Sequence, residues 1–205
     1  MKNYFDAMLE LLRQYVEVSI NNRAEIAKIN SNADLSQIAK EKRVNEVKEK
    51  ELQLTNDCIK QSDAIIEKIG AYLDDINNNT VIPDMQAIFA YLTASGSKCN
   101  ENVLLSYLKP YLGNLTAIKA IASVADNSNV GLASKQIINS YIYDVASVKQ
   151  EIQSEMELVF VGSKSATMAG KRLQKIAEKL GVEIVSDIKD EYTDNQLLRK
   201  AVGLA

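Results

Sequence analysis

Histidine and tryptophan are missing from this chain altogether. Without histidine there is no side chain whose unperturbed titration lies near neutrality, no imidazole metal ligand, and no Ser-His or Cys-His nucleophile pair. The two cysteines, Cys58 and Cys99, lie far apart and fit neither a metal-binding nor a redox spacing. Free thiols are therefore expected, not a disulfide framework. Both prolines, Pro83 and Pro110, fall in the middle of the chain, and the eight glycines are scattered singly. Neither common phosphate-cradling glycine loop is present. No window holds 18 consecutive apolar residues, and Asp6, Glu10 and Arg13 interrupt the amino-terminal stretch before a signal-peptide core forms. The expectation is a cytoplasmic protein without a membrane span, or one assembled into a virion after cytoplasmic synthesis.

What is present is ordinary in amount and unusual in arrangement. Of the 205 residues, 46% are hydrophobic and 25% charged, the usage of a chain that folds. The net charge of −3 is small and the signs alternate, so no strong field favours nucleic acid or a membrane surface. Residues 34–79 contain no proline and only one glycine, Gly70. As one helix this run would be on the order of 65 Å long, against a radius of gyration of roughly 17 Å for a compact domain of this size. An element of that length has to lie along a partner helix, in its own chain or in another.

In residues 3–29, Phe5, Leu9, Leu12, Val16 and Ile26 recur at helical spacing. Residues 30–32 break the pattern, and Asp34 with Gln37 resembles a capping box. The first helix is therefore expected to turn back onto the second. Within the second, residues 40–51 offer only Val44 and Val47 as apolar positions, while Ile59, Ile66, Ile69 and Leu73 form a denser face beyond. The best heptad register places Glu51, Gln61 and Lys68 on the seam, which favours an antiparallel hairpin over a parallel zipper. After a break at 77–84, with Pro83 placed to open the next helix, short helices are expected over 85–94, 101–108 and 115–125. A single helix over 133–161 carries the most regular heptad in the chain, Ile138, Tyr141, Val145, Val148, Ile152 and Val159, with Glu155 as its polar member. An amphipathic helix over 163–180 closes at Gly181, and residues 193–202 form a terminal helix. Residues 182–188 are the one plausible strand and, lacking a partner, are read as helix or extended linker. The expected fold is all-α: an amino-terminal helical hairpin or arm (1–79), a compact block of short helices (80–132), and a long helix with a carboxy-terminal helical extension (133–205).

The candidate motifs are few. Residues 173–192 suggest a helix-turn-helix, but the second helix would need an apolar residue where Asp187 stands, and Glu183, Asp190 and Glu191 would repel phosphates. Just upstream, Lys164, Lys171, Arg172, Lys175 and Lys179 form a basic stripe that could hold an acidic protein partner. Asp74 and Asp75, or Glu46 and Glu49, could share a cation, but no second acidic cluster completes a site, so a metal-dependent hydrolase is a remote alternative. No catalytic residue, metal or cofactor is expected. The leading expectation is a non-enzymatic structural or assembly protein, of the bacteriophage virion or scaffold type, that self-associates through Ile138, Tyr141, Val145, Val148, Ile152 and Val159 or docks on other protein subunits. The alternative is a cytoplasmic adaptor working through the basic stripe.

Overall fold

The computed structural model describes residues 1–79 and 84–189. Among these the chain is all-α, with eight helices and no strand: α1 (Lys2–Ser31), α2 (Gln37–Asn79), α3 (Gln86–Ser95), α4 (Glu101–Leu108), α5 (Leu115–Asn127), α6 (Leu132–Ser140), α7 (Val145–Phe160) and α8 (Ala166–Lys179). Pro83 and the helix expected over 193–202 lie outside the described residues. The chain divides into two compact units. The first comprises Met1–Phe5, Ile66–Ile152 and Gln174–Val185; the second comprises Asp6–Ile65, Gln153–Leu173 and Ser186–Ala205. Helices α1, α2, α7 and α8 each contribute residues to both.

In the first unit α3, α4, α5 and α6 pack around Ile88, Leu92, Leu104, Leu108, Ile118 and Ile121, all fully buried. Asparagines start two of these helices. Asn100 accepts from the Asn102 and Val103 amides at the head of α4, and Asn114 accepts from the Ala117 amide at the head of α5. Tyr143 is buried and donates to the Gly113 carbonyl at 2.7 Å; burial raises its hydroxyl above the ordinary tyrosine range. The turns at Gly113 and Gly181 lie against each other. A Cβ on Gly113 would sit 2.5 Å from the Leu180 carbonyl oxygen, and one on Gly181 would sit 2.8 Å from that of Leu112.

The helix expected over 133–161 is two helices. Tyr141 and Ile142 close α6 with bonds from their amides to the Ile138 and Asn139 carbonyls, and Asp144 then caps α7, accepting from the Ser147 amide at 2.8 Å and its hydroxyl at 2.9 Å. These bonds hold the Asp144 carboxyl below the ordinary aspartate range. The heptad spacing runs across a break in the backbone.

In the second unit α1 and α2 run antiparallel. The Lys40 ammonium donates to the Asn30 carbonyl, Ser19 donates to Glu51, and the Thr55 side chain bonds the Tyr15 hydroxyl. Eleven residues back along α1 match eleven forward along α2, and then four match four. The α1 side of this seam, Met8, Leu12, Tyr15, Ser19, Asn22, Ile26 and Ile29, alternates steps of four and three, all buried or half-buried. Asn22 sits in it with a buried Nδ2 that finds no acceptor among the described residues. The cap of α2 is Ser36, whose hydroxyl accepts from the Ala39 amide, and not Asp34, whose own amide donates to Asn32 in the turn. Gln61 and Lys68 are exposed, so they are not on the seam. Leu54, Cys58, Ser62 and Ile66 follow one another in steps of four, which moves the buried line one residue along from the expected register.

Also in this unit, Tyr15 donates to the Phe160 carbonyl at 2.8 Å and its ring meets that of Phe160 edge-on at 5.0 Å. Gly162 ends α7 in the left-handed region: its amide bonds the Val159 carbonyl and the Ser163 amide bonds that of Leu158.

Residues 182–189 are extended, so no second helix follows Gly181 among the described residues and the helix-turn-helix reading fails on geometry. Burial alternates along this stretch, with Ile184 and Ile188 inside and Glu183, Val185 and Asp187 outside. It is a strand by pattern without a sheet to join. A Cβ on Gly170 would meet the Ser186 side chain at 2.2 Å, so that glycine admits the extended stretch, not a crossing helix. Gly70 does admit a helix, because the Lys149 stem on α7 occupies the place of its Cβ.

The two cysteines differ in access. Cys58 is buried and Cys99 half-buried, and burial pushes the Cys58 thiol up to about 11. A thiol-disulfide reagent at pH 8 should therefore titrate Cys99 readily and Cys58 only as the chain unfolds, which the absorbance time course resolves. A raised thiol contributes stability below its unfolded value, and this is lost as pH climbs toward 11. Alkaline melts of the wild type should fall more steeply over that window than those of Cys58→Ala.

Candidate docking surface

The sequence singled out two sets of side chains for partners, and the fold places them differently from the expectation. Ile138, Val148, Ile152 and Val159 are buried, between 0% and 4% exposed, and Tyr141 and Val145 are half-buried. This line of apolar residues is spent inside the chain's own core, and it is divided between two helices. Of the basic residues, Lys171, Arg172 and Lys175 are exposed on α8 and Lys179 is half-buried. Lys164 precedes α8, in the turn after Gly162, where its ammonium pairs with Glu155. Side-chain exposures there are 23% and 13%, so this pair is an internal neutralisation and not a displayed charge.

No catalytic arrangement emerges from the clefts described. In the second unit a groove of about 280 Å³ is lined by Tyr15, Ser19, Arg23, Ser163 and Lys164. The Tyr15 and Ser19 hydroxyls donate to the Phe160 carbonyl and to Glu51, and the Lys164 ammonium pairs with Glu155. A second groove of about 490 Å³, beside the turn between α1 and α2, is lined by Asn21, Lys28, Leu35 and Arg43 among others. Among the described residues no group of three or more acidic or cysteine side chains is placed to hold a metal ion. Asp74, Asp75, Glu46 and Glu49 are all exposed. No described helix is long and apolar enough to cross a membrane.

The outward side of α2 in the second unit is a different kind of surface. Lys40, Val44, Val47 and Glu51 turn toward α1 and are buried or half-buried. Opposite them stand Ile38, 80% exposed, and Leu52, 62% exposed, with Lys42, Asn45 and Glu49 between them at alternate steps of four and three. Glu41 and Lys48 flank the line and are exposed as well. Two large aliphatic side chains held out on one helical face, among charges of both signs, are suited to receive another helix. This face is hard to see in the sequence because Ile38 and Leu52 are fourteen residues apart and the positions between them on the same face are polar. The signal that would have found it was the second heptad, offset from the one that pairs with α1.

Searches against protein-family models, curated proteins and solved structures return no match for this chain.

Proposed function

We propose that this chain is a non-enzymatic assembly protein that self-associates through its long helices. The observation that supports the reading is the outward face of α2, where Ile38 and Leu52 stand exposed on a helix whose opposite side is already taken by α1. A side chain that is four-fifths exposed gives its own fold little, so the apolar area is left for another subunit. A virion or scaffold component made in the cytoplasm is the form of this reading that the mixed-charge helix suits. The adaptor alternative keeps Lys171, Arg172 and Lys175 at the surface but loses Lys164 to Glu155, which leaves the α2 face the better supported.

The reading is tested by the double substitution Ile38→Asp with Leu52→Asp. Both positions are exposed, so thermal unfolding should shift by no more than about 0.5 kcal/mol each. Sedimentation velocity should show association in the wild type and single chains in the variant. Undiminished association of a folded variant would remove the α2 face from the account.

A further inference from the structure

The outward face of α2 is self-complementary about one residue. Ile38 and Leu52 lie seven residues to either side of Asn45; Lys42 and Glu49 lie three before and four after it; Glu41 and Lys48 lie four before and three after. On a helix turning about 100° per residue, all seven positions fall within about 60° of the direction of Asn45. Lys42 and Glu49 share one flank of that face, and Glu41 and Lys48 share the other. All seven are exposed.

A two-fold axis relating antiparallel helices reverses the chain direction and keeps each flank opposite its own kind. Placed beside Asn45, it sets Ile38 against Leu52 of the copy, Lys42 against its Glu49, and Glu41 against its Lys48. Each contact is made twice, and both charged pairs have opposite signs. The parallel alternative in register sets each flank against the other, Lys42 beside Glu41 of the copy and Glu49 beside its Lys48, and there exchanging the charges of Lys42 and Glu49 would leave like charges opposed.

We infer that α2 is the contact between two copies of this chain, packed antiparallel with the two-fold axis beside Asn45. This rests on the self-association proposed above and names its surface and register. The occupant is a second copy because the charge order of the face is its own complement when reversed. A surface shaped for a different partner has no reason to show that symmetry.

The test is a charge swap read by sedimentation equilibrium, with circular dichroism to confirm folding. Lys42→Glu places two Glu–Glu contacts in the dimer, and Glu49→Lys places two Lys–Lys contacts, so each should weaken association tenfold or more. Combining K42E with E49K restores opposite signs and should bring association back to within about threefold of the wild type. In a C99S background, Asn45→Cys should form a disulfide-linked dimer on mild oxidation, because the axis brings the two copies of that position together.

Singles without effect, or a double variant no better than the singles, would overturn the inference. So would an N45C protein that associates but does not cross-link. If association persists through these results yet disappears with I38D/L52D, the docking face survives and this register does not. If the wild type does not associate at all, both readings fall.

Discussion

Gly113→Ala should lower the melting temperature by on the order of 10 °C. Two costs combine. Gly113 has φ of +84°, in the left-handed region, where a side chain adds about 1–2 kcal/mol. Its new Cβ would also lie 2.5 Å from the Leu180 carbonyl oxygen, and that oxygen is backbone, held in place by the turn at Gly181. Prising the two turns apart adds about 1–3 kcal/mol, by analogy with overpacked cores. The sum is roughly 3 kcal/mol, which at about 2–4 °C per kcal/mol for a chain of this size gives the stated shift. Gly162→Ala isolates the first cost. Its φ is +73°, but nothing lies within 4 Å of the added Cβ, so strain alone should act and the loss should be about 1–2 kcal/mol. Differential scanning calorimetry of the two variants separates steric exclusion from backbone strain. Equal shifts would mean that the close approach of the two turns contributes nothing.

Lys164→Met should cost about 2 kcal/mol of folding stability. It leaves the Glu155 carboxylate, 13% exposed, without its cation in a partly desolvated place. Breaking a fully buried pair costs about 3–5 kcal/mol, and the residual exposure of these two groups brings the figure down. Glu155→Leu should cost a similar amount by leaving Lys164 unpaired. Pairing Lys164→Met with Glu155→Leu removes both charges and should recover most of the loss, since matched removal of an inward ion pair is close to neutral. Urea unfolding of all four proteins closes the cycle. The expected coupling sets this lysine apart from its basic neighbours: Lys171→Ala, at an exposed position of α8, should change stability by less than about 0.5 kcal/mol.

Much of the helical plan was readable in the sequence, because the signals that start and stop helices are local. Asn114 and Gly181 mark true ends, and the helix expected over 101–108 is α4 to the residue. The split between α6 and α7 was missed because apolar spacing continues across it. What breaks the helix there is Asp144 reaching the Ser147 amide and Tyr143 reaching the Gly113 carbonyl thirty residues away. The first of these was legible as an aspartate three residues before a serine; the second belongs to tertiary structure. In α2 the overall period was clear but the seam was displaced by one residue, since steps of four from Leu54 to Ile66 carry burial from Gln61 to Ser62. A strict heptad hides such a change.

The sites were less legible than the helices, for a physical reason. A regular apolar line describes a face that has to be covered, and it does not say by what. Ile138, Ile152 and Val159 are covered within the chain, whereas Ile38 and Leu52, which looked incidental, are not. Burial sorts these cases once the fold is known, and periodicity cannot. The same holds for charge: Lys164 belongs to the basic run by sequence and to Glu155 by structure.

The central claim is that this chain associates with copies of itself, and the absolute mass in solution addresses it most directly. Light scattering coupled to size-exclusion chromatography, run over a hundredfold range of concentration, should show a weight-average mass rising from that of one chain, 22.7 kDa, toward at least twice that value. A mass that stays at 22.7 kDa across the whole range would contradict the account.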